Sequence, residues 1–320
     1  MKHTLDMLRM IEGRRQANPL HIRMNHKMAA PRLAEYDIYA TKRGAPAAAA
    51  PPSVSIITIV LNAARTLERT IVSVQAQSFP AVEHVLVDGG SRDGTLDIIR
   101  RLARPQDFWI SEKDRGISDA FNKGVAMARG RYILILNADD WLSPDQIGQS
   151  VRVLEASAAD FVFGDLIFYE GDQPLFRYRG DPDYAGKVRR RWPSVGHPTL
   201  LAAKSCFERI GMFDPIYRNA MDYDWLLRLH CAGGRGVYCA DVVAHMTHDG
   251  VSNLQFARTI EEVRRIVVNQ GRNPLMAGLE AGFRRFKTTL AQPIKRNGKP
   301  LYQLVRRTIN PSYSPVRALK

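Results

Sequence analysis

VSIITIVLNAARTLERTIVSVQAQSFPAVEHVLVDGGSRDGT, residues Val54–Thr95, is the stretch that decides the fold. Val54–Asn62 is a continuous apolar, β-branched run of strand length, the pattern of a strand buried on both faces. Ala64–Gln77 has helical periodicity and stops near Phe79-Pro80. His84–Asp88 reads as a second strand and Gly89–Thr95 as a turn. The alternation continues beyond it. Leu96–Ala103 is a helix, Asp107–Ser111 a short strand, Ile117–Ala128 a helix ended by Arg129-Gly130, and Arg131–Asn137 another central strand. This β-α-β-α-β-α-β order predicts an α/β fold, a doubly wound and mostly parallel sheet with a Rossmann-like nucleotide-binding half. Sheets of that kind bind ligands outside the carboxyl ends of their strands.

Two carboxylate-bearing segments stand at those ends. Asp88 closes the second strand, and Asn137-Ala138-Asp139-Asp140 follows the fourth. Adjacent carboxylates at the mouth of a sheet repel each other unless a cation or hydrogen bonds compensate. A hard divalent ion, Mg or Mn, takes oxygen ligands and at the same time holds the phosphates of a nucleotide. Taken singly, Asp139-Asp140 also reads as a turn or helix N-cap ahead of Trp141-Leu142-Ser143-Pro144.

The combination is more specific than its parts. Val54–Thr95, followed by SEKDRGISDAFNKGVAMARGRYILILNADD (Ser111–Asp140), closely resembles the nucleotide-binding half of family 2 glycosyltransferases, inverting enzymes of GT-A fold. It is most similar to the branch serving bacterial exopolysaccharide and colanic-acid-type cell-surface polysaccharide synthesis. The likeness runs on through HPTLLAAKSCFERIGMFDP (His197–Pro215) and NAMDYDWLLRL (Asn219–Leu229), and covers roughly 53–253. The resemblance implies that Asp88 lies by the base and ribose of a nucleotide-sugar donor, a UDP-sugar being the donor class expected. It implies that Asp139 and Asp140 form the DxD-type motif, touching ribose and binding a divalent cation that bridges the diphosphate. Asp114 and Asn122, in DRGISDAFN, match positions near the donor pocket. Asp222, in MDYDW, matches the general base that takes the acceptor hydroxyl's proton in a single displacement.

Other readings stay beside these. Asp222 also suits the first turn of a helix, where the dipole favours an acid. Asp224, two residues on, is an alternative base, or a buttress or cap for a helix over Trp225–Cys231. His197 resembles an acceptor-side position and equally reads as a structural histidine. His245 and His248, in HMTHDGVS, fall where the chain would close over the diphosphate, as metal or phosphate contacts or as a surface loop. Arg189–Trp192, RRRW, reads as a solvated turn or as a contact for a lipid-linked diphosphate. Two positions depart from the family pattern: Gly89 stands where many members carry a second, base-recognising Asp, and Asn137 where the DxD motif often starts with Asp.

Charge sets the boundaries. The net charge is +14, yet residues 53–253 are close to neutral. The excess lies in 1–52, with 9 Lys/Arg against 4 Asp/Glu, and in 254–320, with 14 against 3. A nucleic-acid-binding domain would carry that charge in its folded body, so nucleic acid is not the expected partner. The reading is a basic N-terminal extension (1–52) ending in the Ala/Pro linker Gly44–Pro52, with a helix over Thr4–Gln16. A catalytic domain (53–253) divides into a nucleotide-binding half, 53–145, and an acceptor half, 146–253. A basic, helical tail (254–320) follows, with Phe283–Lys287 and Tyr302–Ile309 mixing basic and apolar residues. Such flanks suit an anionic inner-membrane surface, where a saccharide or polyprenyl-linked acceptor would be met from the cytoplasmic side. Apolar runs are strand-sized, no secretory signal is apparent, and three scattered cysteines suggest reduced thiols.

Rival readings lack their own marks. A dehydrogenase wants GxGxxG after the first strand, where this chain has Asn62-Ala63-Ala64, and a P-loop is absent. A nucleotidyltransferase would show a Gly-rich, basic loop there. A catalytically inactive, membrane-associated scaffold of the same fold is the remaining alternative, against which the four acids Asp88, Asp139, Asp140 and Asp222 speak.

Overall fold

The computed structural model describes residues 30–42, 52–248, 256–297 and 313–314. The expected Thr4–Gln16 helix, nearly all of the Gly44–Pro52 stretch and the Tyr302–Ile309 segment lie outside the described residues. A 3-10 turn (Leu33–Tyr36) and α1 (Asp37–Lys42) precede the alternating units. These are β1 (Val54–Val60), α2 (Leu67–Gln75), β2 (Val82–Asp88), α3 (Thr95–Leu102), β3 (Phe108–Ser111), α4 (Ile117–Met127) and β4 (Tyr132–Asn137). The elements match the periodicity reading to within three residues at each end.

β4, β1, β2 and β3 lie side by side in that order and run parallel. The chain therefore leaves β1 on one side, builds β2 and β3, and returns through α4 to the other side of β1. That reversal is the switch point at which such sheets open a crevice. Register aligns the rims: Val60 faces Asp88 across β1–β2, and Ile59 faces Asn137 across β1–β4.

Strand alternation explains the two-sided burial. Ile57, Val85, Val87, Ile133 and Ile135 point to the α4 face, while Ile56, Leu134 and Leu136 point to the opposite face. On that opposite face α5 (Gln146–Ala156) packs with Ile147, Val151 and Leu154. Gly124 permits the close seating of α4, because a Cβ there would run into Ile57. Fully burying each such aliphatic side chain is worth about 1.5–3 kcal/mol.

Beyond β4 the sheet becomes mixed, with antiparallel pairs and one parallel pair. The next elements are β5 (Trp141–Leu142), β6 (Phe161–Glu170), β7 (Gln173–Tyr178), α6 (Tyr184–Lys187), β8 (Leu201–Ala203) and α7 (Lys204–Ile210). After them come α8 (Met221–Cys231), β9 (Gly236–Thr247), α9 (Phe256–Asn269), α10 (Pro274–Asn297) and β10 (Tyr313–Ser314). β6 and β9 form the parallel pair. β8 pairs with β4 and β6, and the short β5 pairs with β9, which brings β9 beside the Asn137–Asp140 turn.

The flanks differ from the sequence reading. Residues 30–42 are docked: Tyr36 is buried and its hydroxyl donates to Asp119 at 2.8 Å, while the Met212 N–H donates to the Pro31 carbonyl at 2.9 Å. On the other side, Ile260, Val263, Ile266 and Val267 of α9 are buried in the main core. Part of the basic tail thus belongs to the folded body. No helix among the described residues is long and apolar enough to cross a membrane.

Candidate active site

At the end of β2, Asp88 is wholly buried and built into the turn that follows. Its carboxylate accepts the Gly90 and Ser91 N–H groups and the Ser111 hydroxyl at 2.6 Å. The same turn is tied to β1 by Asn62, whose Oδ1 accepts the Arg92 N–H at 2.9 Å. Asn62 adopts φ 52°, a left-handed conformation that asparagine tolerates better than most residues. Asp114 arrives from the β3–α4 loop, its Oδ1 accepting the Gly116 N–H at 2.8 Å and its Oδ2 pressed against the Cα of Gly89. A side chain at 89 would collide with that carboxylate. The departure at Gly89 therefore has a local cause: another acid fills the space.

Asp139 and Asp140 stand on the other side of β1, about 10 Å from Asp88 by two strand spacings. The turn is fixed from three sides. The Thr70 hydroxyl donates to the Asp140 carbonyl at 2.8 Å, the Thr247 hydroxyl to the Asp139 carbonyl at 2.8 Å, and the Asn137 amide to Asp140 Oδ2 at 3.2 Å. Asp140 is 1 % exposed, and its Oδ1 has no hydrogen-bond partner. Burial first, and then the neighbouring Asp139 charge, push the Asp140 carboxyl well above the usual carboxylate range. Asp139 is raised too, by burial. An orphaned, buried oxygen beside a second carboxylate is the donor set a hard divalent cation fits. Among the described residues no group of three or more His, Cys, Asp or Glu side chains surrounds such an ion. Mg-type sites commonly complete their shell with water and substrate phosphate, so two carboxylates suffice.

Arg69, on α2, was not legible in the sequence. Its guanidinium lies 3.5 Å over the Trp141 ring and pulls electrostatically on both Asp139 and Asp140. His245 stacks on the other partner of this platform, 5.2 Å from the Trp141 ring and nearly parallel to it, and Ser143 holds its Nε2 at 2.9 Å. His248 instead packs its ring against Phe168 and Phe176.

His197 links the two ends of the cleft. Asn137 Nδ2 can only donate, so His197 Nε2, 3.0 Å away, accepts and the proton resides on Nδ1. Nε2 is 3.9 Å from Asp140 Oδ2, and Nδ1 is 4.0 Å from Asp222 Oδ2. Burial pushes the imidazole down to about 4, so at neutral pH the ring is an uncharged spacer between two acids. Asn137, the second departure, is what orients it. An Asp there would set a third carboxylate against Asp140 and leave Nε2 without a donor.

Asp222 opens α8, which starts four residues earlier than a helix over Trp225–Cys231 would. Its Oδ1 accepts the Tyr223 N–H at 2.8 Å, and its side chain remains 27 % exposed, toward the cleft. Burial raises it to about 7. The cleft itself, about 370 Å³, is lined by Asn137, His197 and Asp222 at its polar end and by Phe121, Phe213 and Trp192 elsewhere. Trp192, from RRRW, stacks on Tyr223 at 5.6 Å.

Two motif residues turn away from the cleft. Both ends of the Asn122 amide are used on the Phe213 backbone, at 2.9 and 3.0 Å, which clamps α4 to the loop before α8. Asp224 is buried and held by Arg228 at 2.8 Å, and Arg228 in turn caps the Ile210 and Met212 carbonyls. Asp224 is thereby tied into the packing of α8.

Glu262 was missed because its role is long-range. From α9 it accepts the N–H groups of Arg218, Asn219 and Ala220 at 3.1, 2.8 and 3.0 Å, directly ahead of α8.

Comparison with known proteins gives the same direction. The family model described as glycosyl transferase family 2 matches residues 55–211. The chain is 33% identical over 184 residues to a PGL/p-HBAD biosynthesis glycosyltransferase of Mycobacterium bovis, covering 56% of this chain and 70% of that one. It is 28% identical to the succinoglycan biosynthesis protein ExoO of Rhizobium meliloti over 52% of this chain and 48% of that one. Among solved structures it resembles the mannosyltransferase PcManGT of Pyrobaculum calidifontis, solved with GDP-Man and Mn2+. There the TM-score is 0.54 at 21% identity, over 86% of both chains, a likeness of fold.

Proposed function

The chain belongs to glycosyl transferase family 2, and from that premise we propose that it moves a sugar from a nucleotide-sugar donor to a saccharide or lipid-linked saccharide acceptor, with inversion. A UDP-sugar is the donor class we favour, and cell-surface polysaccharide or glycoconjugate assembly the setting. The observation that carries the reading is the meeting of Asp140 and Asp222 at opposite nitrogens of one imidazole, 3.9 and 4.0 Å away. Acids from separate stretches, one at the sheet rim and one on a helix, flank the same histidine.

Each residue's part follows from its surroundings. Asp114, pinned by the Gly116 N–H, presents a fixed acceptor to the nucleoside, and the wholly buried Asp88 shapes the Gly89–Ser91 turn that lies beside it. Asp139 and Asp140 would hold a Mg or Mn ion, which neutralises charge on the departing diphosphate. Arg69, stacked on Trp141, adds a cation beside the same carboxylates. His197 fixes the spacing between the diphosphate end and the base. Asp222 accepts the acceptor hydroxyl's proton as its oxygen bonds to the anomeric carbon. The bond from that carbon to the phosphate oxygen breaks on the opposite face, and nucleoside diphosphate leaves. One carboxylate is enough, since a retaining route would require a second, nucleophilic one about 5 Å from the first.

The apolar face of α10 supports a location at the membrane surface. Leu275, Leu279, Phe283 and Phe286 are each more than half exposed and share one stripe of the helix.

The test is release of nucleoside diphosphate from a panel of sugar nucleotides with Mn or Mg. Asp222→Asn is expected to lose about 10²–10⁴-fold in transfer, while donor still raises its melting temperature as in the wild type. Undiminished transfer by Asp222→Asn would sink the assignment.

A further inference from the structure

Arg218 has a second neighbour besides the cleft. It also lines a cavity of about 660 Å³ enclosed by the loop before α8, by α9 and by α10. That size is within the range of ligand sites. Its walls carry the guanidinium groups of Arg218, Arg258, Arg265 and Arg285 and the carboxylates of Glu261 and Glu262. Neither carboxylate is available to balance the rest. Glu261 is engaged by Arg264 at 2.7 Å and Arg265 at 3.2 Å, and Glu262 is consumed by the backbone N–H groups of 218–220. Among the described residues no carboxylate pairs with Arg218 or Arg258.

Like charges gathered around one wet cavity raise the free energy of the folded chain, and an anion would relieve that cost. The excess of two positive charges matches a phosphate or diphosphate better than a single carboxylate, and guanidinium forks suit phosphate oxygens. Arg218 lines both this cavity and the cleft, so the two lie side by side. The Arg218 backbone, in turn, is held by Glu262 four residues before Asp222. We infer that this arginine-lined cavity binds a phosphate or diphosphate group carried by the acceptor, placing the acceptor hydroxyl within reach of Asp222. The inference rests on the reading of Asp222 as the base.

Calorimetric titration of the full chain with inorganic pyrophosphate, in EDTA, tests it. Chelation removes the cation on which anion binding at Asp139 and Asp140 depends. The wild type is expected to bind, and Arg218→Ala/Arg258→Ala to bind at least about tenfold more weakly, with partial recovery in Arg218→Lys/Arg258→Lys. Both arginines are exposed, so the variants should keep the fold, which an unchanged melting temperature verifies. Binding unaltered in the alanine variant, or lost instead in Asp140→Asn, overturns the proposal and leaves the donor reading standing. Flotation on phosphatidylglycerol vesicles separates acceptor phosphate from lipid headgroup. An alanine variant that loses pyrophosphate yet floats like the wild type supports the acceptor site; one that loses both assigns the cavity to headgroups and overturns it. Failure of the donor reading shows separately, as no nucleoside diphosphate released from any sugar nucleotide by the wild type. With arginine-dependent pyrophosphate binding intact, that result would leave an anion site and overturn its assignment to an acceptor.

Discussion

Asp222 is held in tension between chemistry and stability. Burial, aided by the Glu262 charge, raises its carboxyl to about 7 from the usual value near 3.8, against the opposing pull of the Tyr223 N–H. A base whose pKa sits near the working pH is well matched to take a proton from an alcohol. The same shift acts on folding. A carboxyl raised in the native state contributes stability that is fully present below about pH 4 and is lost as pH rises through about 7. The loss is at most about 4 kcal/mol. Two opposite slopes follow. Transfer, as kcat/KM, should climb with pH through an acid limb near 7, while the share of stability contributed by Asp222 falls over pH 4–7. Asp222→Asn should flatten the stability slope and melt several degrees higher than the wild type at pH 8 while transferring almost nothing. Melting curves at pH 5 and pH 8 decide the matter, and a variant that melts lower at both would remove burial as the cause of the shift. His84, His197 and His245, each lowered to about 4 by burial, act oppositely on stability between about pH 4 and 6.5, and the comparison of the wild type with Asp222→Asn removes their shared contribution.

At the scale of elements, α9 supports α8, the helix that carries the proposed base. Glu262 satisfies three N–H groups that precede α8, groups with no partner inside that helix. It also places a negative charge at a helix N-terminus, where the dipole favours it. Glu262→Gln keeps one oxygen, able to accept the Asn219 and Ala220 N–H groups, and replaces the other oxygen and the charge with an NH2 facing the Arg218 N–H, so the acid limb of the rate profile should move to lower pH at a smaller cost in stability than an alanine there. Glu262→Ala leaves the N–H groups unpaired, at about 1–3 kcal/mol for a buried donor, and should lower both kcat and the melting temperature. Identical pH profiles for the wild type and the glutamine variant would show that Glu262 acts by geometry alone. Charge explains why this was not legible in the sequence. α9 spaces Ile260, Val263, Ile266 and Val267 on one face, but four arginines and glutamates between them make the segment read as a solvated basic tail. The strands posed no such problem, because a β-branched run such as Val54–Val60 has one stable place, the middle of a sheet. Asp88, Asp139 and Asp140 at the sheet rim and Asp222 in the first turn of α8 could be placed for a similar reason, standing where a strand pattern stops or a helical one begins. Arg69, the Asn137–His197 bond and the Phe213 bonds of Asn122 join residues 60 to 91 positions apart or depend on a ring stack, and no local pattern encodes them.

For the whole molecule the distribution of charge bears on the proposed attachment to a membrane surface. The catalytic body is close to neutral, and the segment from 254 onward carries 14 Lys/Arg against 3 Asp/Glu. Within that segment α10 packs its Ala277 side inward and leaves Leu275, Leu279, Phe283 and Phe286 at 72, 59, 59 and 61 % exposure. At 100° per residue these four fall within about 80° of arc, one narrow stripe. Water alone gives no reason to keep such a stripe. A membrane interface does, because each large apolar side chain moved out of water gains on the order of 1.5–3 kcal/mol when fully buried and each nearby cation about 1 kcal/mol from anionic lipid. Partial insertion of the stripe is then enough for reversible attachment. The charge also separates a membrane from a second copy of this chain, since two such basic faces would repel. Full-length protein should float with phosphatidylglycerol vesicles at low salt and much less with phosphatidylcholine ones, the attachment weakening as salt screens the charge. Leu279→Glu/Phe283→Glu should abolish flotation even at low salt while nucleoside diphosphate release from free sugar nucleotide persists, because neither side chain lines the cleft. Flotation indifferent to lipid charge, or unchanged in the double variant, would detach the stripe from the membrane. A mass that doubles with concentration and returns to the monomer in the double variant would give the stripe to a second copy instead.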